Sequence, residues 1–172
     1  MNQQVRRERR MKGTLKKFNK SEHEIYDTKG KNALLAYLPR AFKNLKHIEN
    51  PNKHGIDVIT LNDNDEVVAC WEIEVRHGNW SGDRPFPFNE INCIERKDYQ
   101  WKREQSFINK VPFNFATEYD VFYVQLNKEC TRAAIIKGDT VLKYPLIPWR
   151  NRKAEGEYVR QVPISEVKQV IL

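Results

Sequence analysis

The chain has no run approaching the ~18 consecutive apolar residues of a membrane-spanning helix. Its first stretch, MNQQVRRERRMKGTLKKF, has the charges of a secretory signal without the apolar segment. Cysteine is scarce and odd in number: Cys70, Cys93 and Cys130 are far apart and each lies in apolar sequence, which argues against a disulfide framework or a zinc cluster and for a reducing compartment. A soluble, cytoplasmic protein is expected. His23, His47, His54 and His77 lack metal-ligand spacing, and there is no glycine-rich phosphate loop and no internal repeat. Zinc chemistry and nucleoside triphosphate hydrolysis are therefore poor expectations.

What remains is enough for one sizeable core: 172 residues, 40% hydrophobic and 11% aromatic. We read residues 1–20 as a basic arm and residues 21–172 as a single domain. Between residues 1 and 17 seven basic residues, Arg6, Arg7, Arg9 and Arg10 among them, face Glu8 alone, so this stretch holds +6 of the net charge of +7. Such an arm cannot bury apolar surface, and it is expected to be flexible in isolation with a polyanion as its natural partner. The alternative is a solubilising tail.

Leu34, Leu38, Phe42 and Leu45 recur at helical spacing in residues 22–47, with Pro39 as a kink or boundary. GIDVITL (55–61) and VVACWEIEV (67–75) read as strands paired antiparallel through NDND. EINCI (90–94) reads as a third strand, KDYQWKREQSFI (97–108) as one amphipathic helix, and YDVFYVQL (119–126) and RAAIIK (132–137) as two more strands. Residues 143–160 read as irregular, and ISEVKQVIL (164–172) as a short helix capped by Ser165. The order is α-β-β-β-α-β-β, an α/β domain with a central mixed sheet flanked by helices.

Three acids sit inside apolar runs where stability gives no reason for them: Asp57, Glu72 and Glu74. Strand alternation puts Glu72 and Glu74 on one face, and the hairpin register brings Asp57 to their level. A cluster of this kind repels itself unless a hard divalent cation or basic side chains compensate it, and oxygen-only ligation suits Mg²⁺ or Mn²⁺. Glu24 and Asp27, near the first helix start, are either further acidic groups of the site or helix-start charges. Trp80, Phe86 and Phe88 either pack the core or line the mouth of the site.

Asp57 at the end of a short strand, then EIE on the next, within an α-β-β-β-α-β order, resembles the PD-(D/E)XK nuclease superfamily, whose core is the restriction-endonuclease-like fold. The resemblance spans residues 22–137, and HGNW…FPFNEINCIERKDY (77–99) is similar to phage-type members. It implies a Mg²⁺-dependent endonuclease that hydrolyses DNA phosphodiester bonds, with Asp57 and Glu72 as metal ligands and Glu74 at the position that is usually Lys. Lys97 is the preferred compensating cation and Arg76 the other candidate. Lys31, Arg76, Arg96 and Lys102, with Arg6, Arg7, Arg9 and Arg10, are the expected nucleic-acid contacts. A homodimer would suit symmetric cutting of two strands. The other readings are a degenerate nuclease fold that only binds nucleic acid and a protein-interaction module.

Overall fold

The computed structural model describes residues 19–150 and 156–172, so Arg6, Arg7, Arg9 and Arg10 and most of the expected arm lie outside the described residues. Helix α1 (Lys20–Ala41) starts where the Asn19 side chain accepts from the Glu22 N–H at 3.3 Å, and it ends two residues after Pro39. The helix is shorter than the expected 22–47 at its C-terminal end. Beyond Asn44, which has a left-handed φ of 68°, the chain becomes strand β1 (Lys46–Glu49).

Gly30, Leu34 and Leu38 form the buried stripe of α1 at four-residue spacing. Gly30 is there because the sheet comes so close: a Cβ on it would lie 2.9 Å from Val75 Cγ2 and 3.2 Å from Ile73 Cγ2, both on stiff β-branched side chains. Gly30→Val is therefore expected to destabilise by about 1–3 kcal/mol through overpacking, despite its loss of a helical glycine. The midpoint of urea unfolding measures this, and an unchanged midpoint would contradict the close approach.

The central sheet has six strands in the order β1-β2-β3-β5-β6-β9. They are β1, β2 (Val58–Leu61), β3 (Val67–Arg76), β5 (Phe115–Asn127), β6 (Arg132–Lys137) and β9 (Lys168–Ile171). The β2–β3 pair is antiparallel as expected, whereas β3 runs parallel to β5, and the sheet is therefore mixed. The connection between β2 and β3 is held by Asn62, whose side chain accepts from the Asn64 and Glu66 N–H groups, with Asp65 at φ 55°.

Three sequence expectations are corrected. EINCI is strand β4 (Glu90–Ile94), but it belongs to a second, three-stranded sheet with β8 (Tyr158–Pro163) and β7 (Leu146–Pro148), so residues 143–160 are not wholly irregular. KDYQWKREQSFI is not one helix: a 3₁₀ turn at Glu95–Lys97 leads into α2 (Asp98–Trp101), and Arg103 at φ 53° separates this from α3 (Gln105–Ile108). The C-terminal segment is a 3₁₀ turn at Ile164–Glu166 followed by β9, which pairs antiparallel with β6. Its β-branched Val170 and Ile171 meet Ala133 and Arg132 across that pair, and this packing overrides the helical pattern.

The central sheet is buried on both faces. Leu34 and Leu38 of α1 meet Ala69, Trp71, Ile73, Val124 and Leu126 on one side. On the other, Cys70, Val121, Tyr123 and Ile136 meet Trp101, Phe107 and the second sheet's Ile91, Cys93 and Val162. Val67 packs in this second core rather than with Ala69 and Trp71, because the β3–β5 register shifts between Val67 and Ala69. Trp80 and Phe86 are core residues in edge-to-face contact at 5.1 Å, while Phe88 is 38% exposed. Among the described residues no helix is long and apolar enough to cross a membrane.

Candidate active site

The second core ends where β3 turns polar. Glu72 and Glu74 leave the same face as Cys70 and line, with Asp57, Asp27, Lys97 and Arg96, a cleft of about 490 Å³. Asp57 stands just before β2, and its Oδ2 accepts the Ile73 N–H at 2.8 Å, which ties it across to β3 between the two glutamates. The sequence expectation that the three acids share one level is met. Asp27, one turn before Gly30 on α1, reaches the same cleft, whereas Glu24 pairs with Lys20 at 3.9 Å on the outer surface of the helix.

Each acid has its own partner. Glu72 Oε1 receives the Lys97 ammonium at 2.5 Å, and Glu72 Oε2 accepts from Gln100 Nε2 at 3.0 Å. Lys97 thus arrives from the 3₁₀ turn after β4, a different element from the acidic strand. Glu74 accepts a hydrogen bond from the Tyr123 hydroxyl, which itself accepts from Gln125 Nε2 at 2.9 Å. Arg76 lies 3.8 Å from Glu74. Lys31 is not a free phosphate contact: its half-buried side chain sits 2.9 Å from Asp27, 3.3 Å from Glu49 and 3.5 Å from Asp57. Lys102 lies 3.6 Å from Asp98, away from the cleft.

Electrostatics single out Asp57. Burial raises its carboxyl to about 7, and Glu72 adds to the rise against the Ile73 N–H and Lys31. Burial alone would lower Lys97, but Glu72, with Glu74 and Asp57 behind it, overcomes that and leaves it above its ordinary value. Lys31 is likewise pulled down by burial and carried well above the lysine range by Asp27 and Asp57. Burial, reinforced by Glu74, pushes the Tyr123 hydroxyl well up, so it stays protonated and donates. Tyr123→Phe removes that donor and is expected to cost about 1.5–3 kcal/mol, the range for a hydrogen bond to a charged group. Chemical denaturation reads this, and a variant as stable as the parent would mean that the bond contributes nothing.

The donor set has the chemistry of a hard-cation site: oxygen ligands only, mutual repulsion among the acids, and Gln100 Oε1 buried beside Glu72 without a protein partner. Among the described residues, however, no three His, Cys, Asp or Glu side chains stand close enough together to hold a metal ion as they are placed. The acids line one cleft but do not close into a cage, since Lys97 occupies Glu72 and Tyr123 occupies Glu74.

Sequence reading missed Gln100, Tyr123 and Gln125. The last two had a signal: they are alternate polar residues in an apolar strand, and register sets Tyr123 beside Glu72 and Gln125 beside Glu74. It also missed Tyr26 and His77, whose rings stack at 4.6 Å on the cleft wall. No protein-family model matches the chain, and no curated protein matches it significantly.

Proposed function

We propose that the chain is a metal-dependent endonuclease acting on DNA phosphodiester bonds. The observation that carries this reading is that Asp57, just before β2, and Glu72 and Glu74 of β3 line one cleft, with Lys97 on Glu72. The order of elements supports it: helix α1, the antiparallel run β1–β2–β3, short helices, then β5 parallel to β3. With β4 set apart in the second sheet, the rest of this order resembles the α-β-β-β-α-β order of the restriction-endonuclease-like core, with β1 rather than EINCI as one of its three leading strands.

Asp57 and Glu72 would hold Mg²⁺ or Mn²⁺, with Glu74 as a further ligand or water-positioning group. When bound, such an ion would lower the pKa of an attacking water and neutralise charge on the phosphate. Lys97 would offset negative charge on the phosphate in the transition state. Tyr123 holds Glu74 in orientation through its hydroxyl. Arg96, exposed on the cleft, and Arg76 beside it supply phosphate contacts that position without reading sequence. The basic residues before the helix add salt-sensitive attraction.

The cleft also supports a second reading. The Lys97–Glu72 pair neutralises the acid from within, and among the described residues no three acids stand close enough together to hold a metal ion as they are placed, which favours a nuclease-like fold that only binds nucleic acid. Incubating supercoiled plasmid and a four-way junction with the protein in Mg²⁺, Mn²⁺ or EDTA, beside Glu72→Ala, separates the two. The nuclease reading predicts cleavage that needs metal and is lost in the variant. Salt-sensitive binding with no cleavage in any metal would replace it with the binding fold.

A further inference from the structure

A second groove, of about 900 Å³, begins where the acid cleft ends. The two are joined through the pleat of two strands. On β3, positions 72, 74 and 76 share one face: Glu72 and Glu74 line the cleft and Arg76 lines the groove. On β4, Ile94 lines the cleft and Asn92 lines the groove from the same face. From Glu72 to Arg76 is about 13 Å of strand, the length of about four stacked nucleotides.

The groove's wall differs in chemistry from the cleft. Phe88, 38% exposed, carries the Arg76 guanidinium 5.8 Å from its ring centre, and Trp149 of the loop after β7, half-buried, lines the same groove. Arg76 and Arg150 are its cations, and Glu90, its acid, is engaged by Gln161 Nε2 at 2.5 Å. A surface of aromatic rings and arginines recognises bases by their faces and the backbone by its charge, and only an unpaired strand offers both together.

We propose that this groove binds an unpaired strand of DNA, with bases stacked on Phe88 and Trp149 and the backbone passing over Arg76 into the acid cleft. The inference rests on the nucleic-acid reading of that cleft and names its substrate class as single-stranded or branched rather than continuous duplex. Rings at the groove and carboxylates at the cleft would then act on one strand, which enters at the second sheet and is cut over β3.

Fluorescence anisotropy of the full chain in EDTA, at physiological salt, tests it with a labelled oligothymidylate of about 15 nucleotides and a duplex of equal length. Tighter binding of the single strand is expected. Phe88→Leu keeps the apolar volume and removes the ring face, and it should weaken that binding about fivefold to 150-fold, the loss of one stacked base, while duplex affinity stays within about twofold. Phe88→Tyr keeps the face and should restore parental affinity, and Trp149→Leu should behave like Phe88→Leu. Failure of the parent to bind oligothymidylate, an affinity insensitive to both leucine variants, or equal losses on both probes would each overturn the proposal. Because no metal is present, the result is separate from cleavage. Stacking-dependent binding by a chain that never cuts would keep the groove and remove the nuclease, and the reverse would keep the nuclease and remove the groove.

Discussion

Asp57→Asn is expected to give a protein that melts higher than its parent at pH 8 and cuts no DNA. The Asp57 carboxyl is held at about 7 in the folded state by burial and by Glu72, whereas in an unfolded chain an aspartate titrates near 3.9. Between those values the folded state keeps a proton that the unfolded state has released, so stability falls as pH rises from about 4 to about 7. At pH 8 the whole cost is present, on the order of 4 kcal/mol as a ceiling at 1.36 kcal/mol per unit. Asparagine removes the charge and keeps an oxygen for the Ile73 N–H, but it forfeits attraction to Lys31. A net gain of about 2 kcal/mol is expected, or roughly 4–8 °C for a domain of this size. Thermal melts at pH 8 and pH 4 check this: the advantage should be present at the first and gone at the second. A variant less stable than the parent at pH 8, or stabilised equally at both, would show that Asp57 is not a destabilised acid.

Lys97→Ala should do the opposite to stability and the same to activity. Its ammonium lies 2.5 Å from Glu72 and 5.4 Å from the centre of the Tyr123 ring, in a site where Asp57 and Glu74 are the next charges. Removing it leaves Glu72 uncompensated beside them, and the expected cost is about 3 kcal/mol, near the low end for breaking a buried pair because the site opens to the cleft. A cation from solution can then take the vacated role. Millimolar Mg²⁺ should raise the melting temperature of Lys97→Ala more than that of the parent, by up to about 2.7 kcal/mol at a hundredfold excess over its dissociation constant. Cleavage should fall about 10²- to 10³-fold, the usual loss for one transition-state charge partner. Equal Mg²⁺ shifts in the two proteins would separate Lys97 from the metal, and full activity would remove it from the chemistry.

Much of the site was legible because strand alternation is a short-range rule. Glu72 and Glu74 had to share a face, and the Asn62–Glu66 turn fixed the register that brings Asp57 to Ile73. Lys97 could be named because a third acid beside the other two required a cation from another element. The role of Lys31 was not legible, since its place among Asp27, Glu49 and Asp57 depends on how α1 lies over the sheet. Nor was the second sheet. Asn92 pairs with Gln161, a partner far along the chain, and Pro145, Pro148 and Pro163 disguise short strands that carry proline only at or beyond their ends. Left-handed Arg103 breaks a helix that periodicity alone continues. With the second sheet hidden, the groove beside the cleft was hidden as well.

The most direct test of the account is calorimetric titration of Mn²⁺ into the parent protein and into Asp57→Asn and Glu72→Gln, in the absence of DNA. The account predicts saturable binding in the parent, with both substitutions abolishing it or weakening it at least about tenfold. A parent that takes up no Mn²⁺ in the millimolar range, or variants that bind it as well as the parent, would contradict the claim that these carboxylates form a metal site.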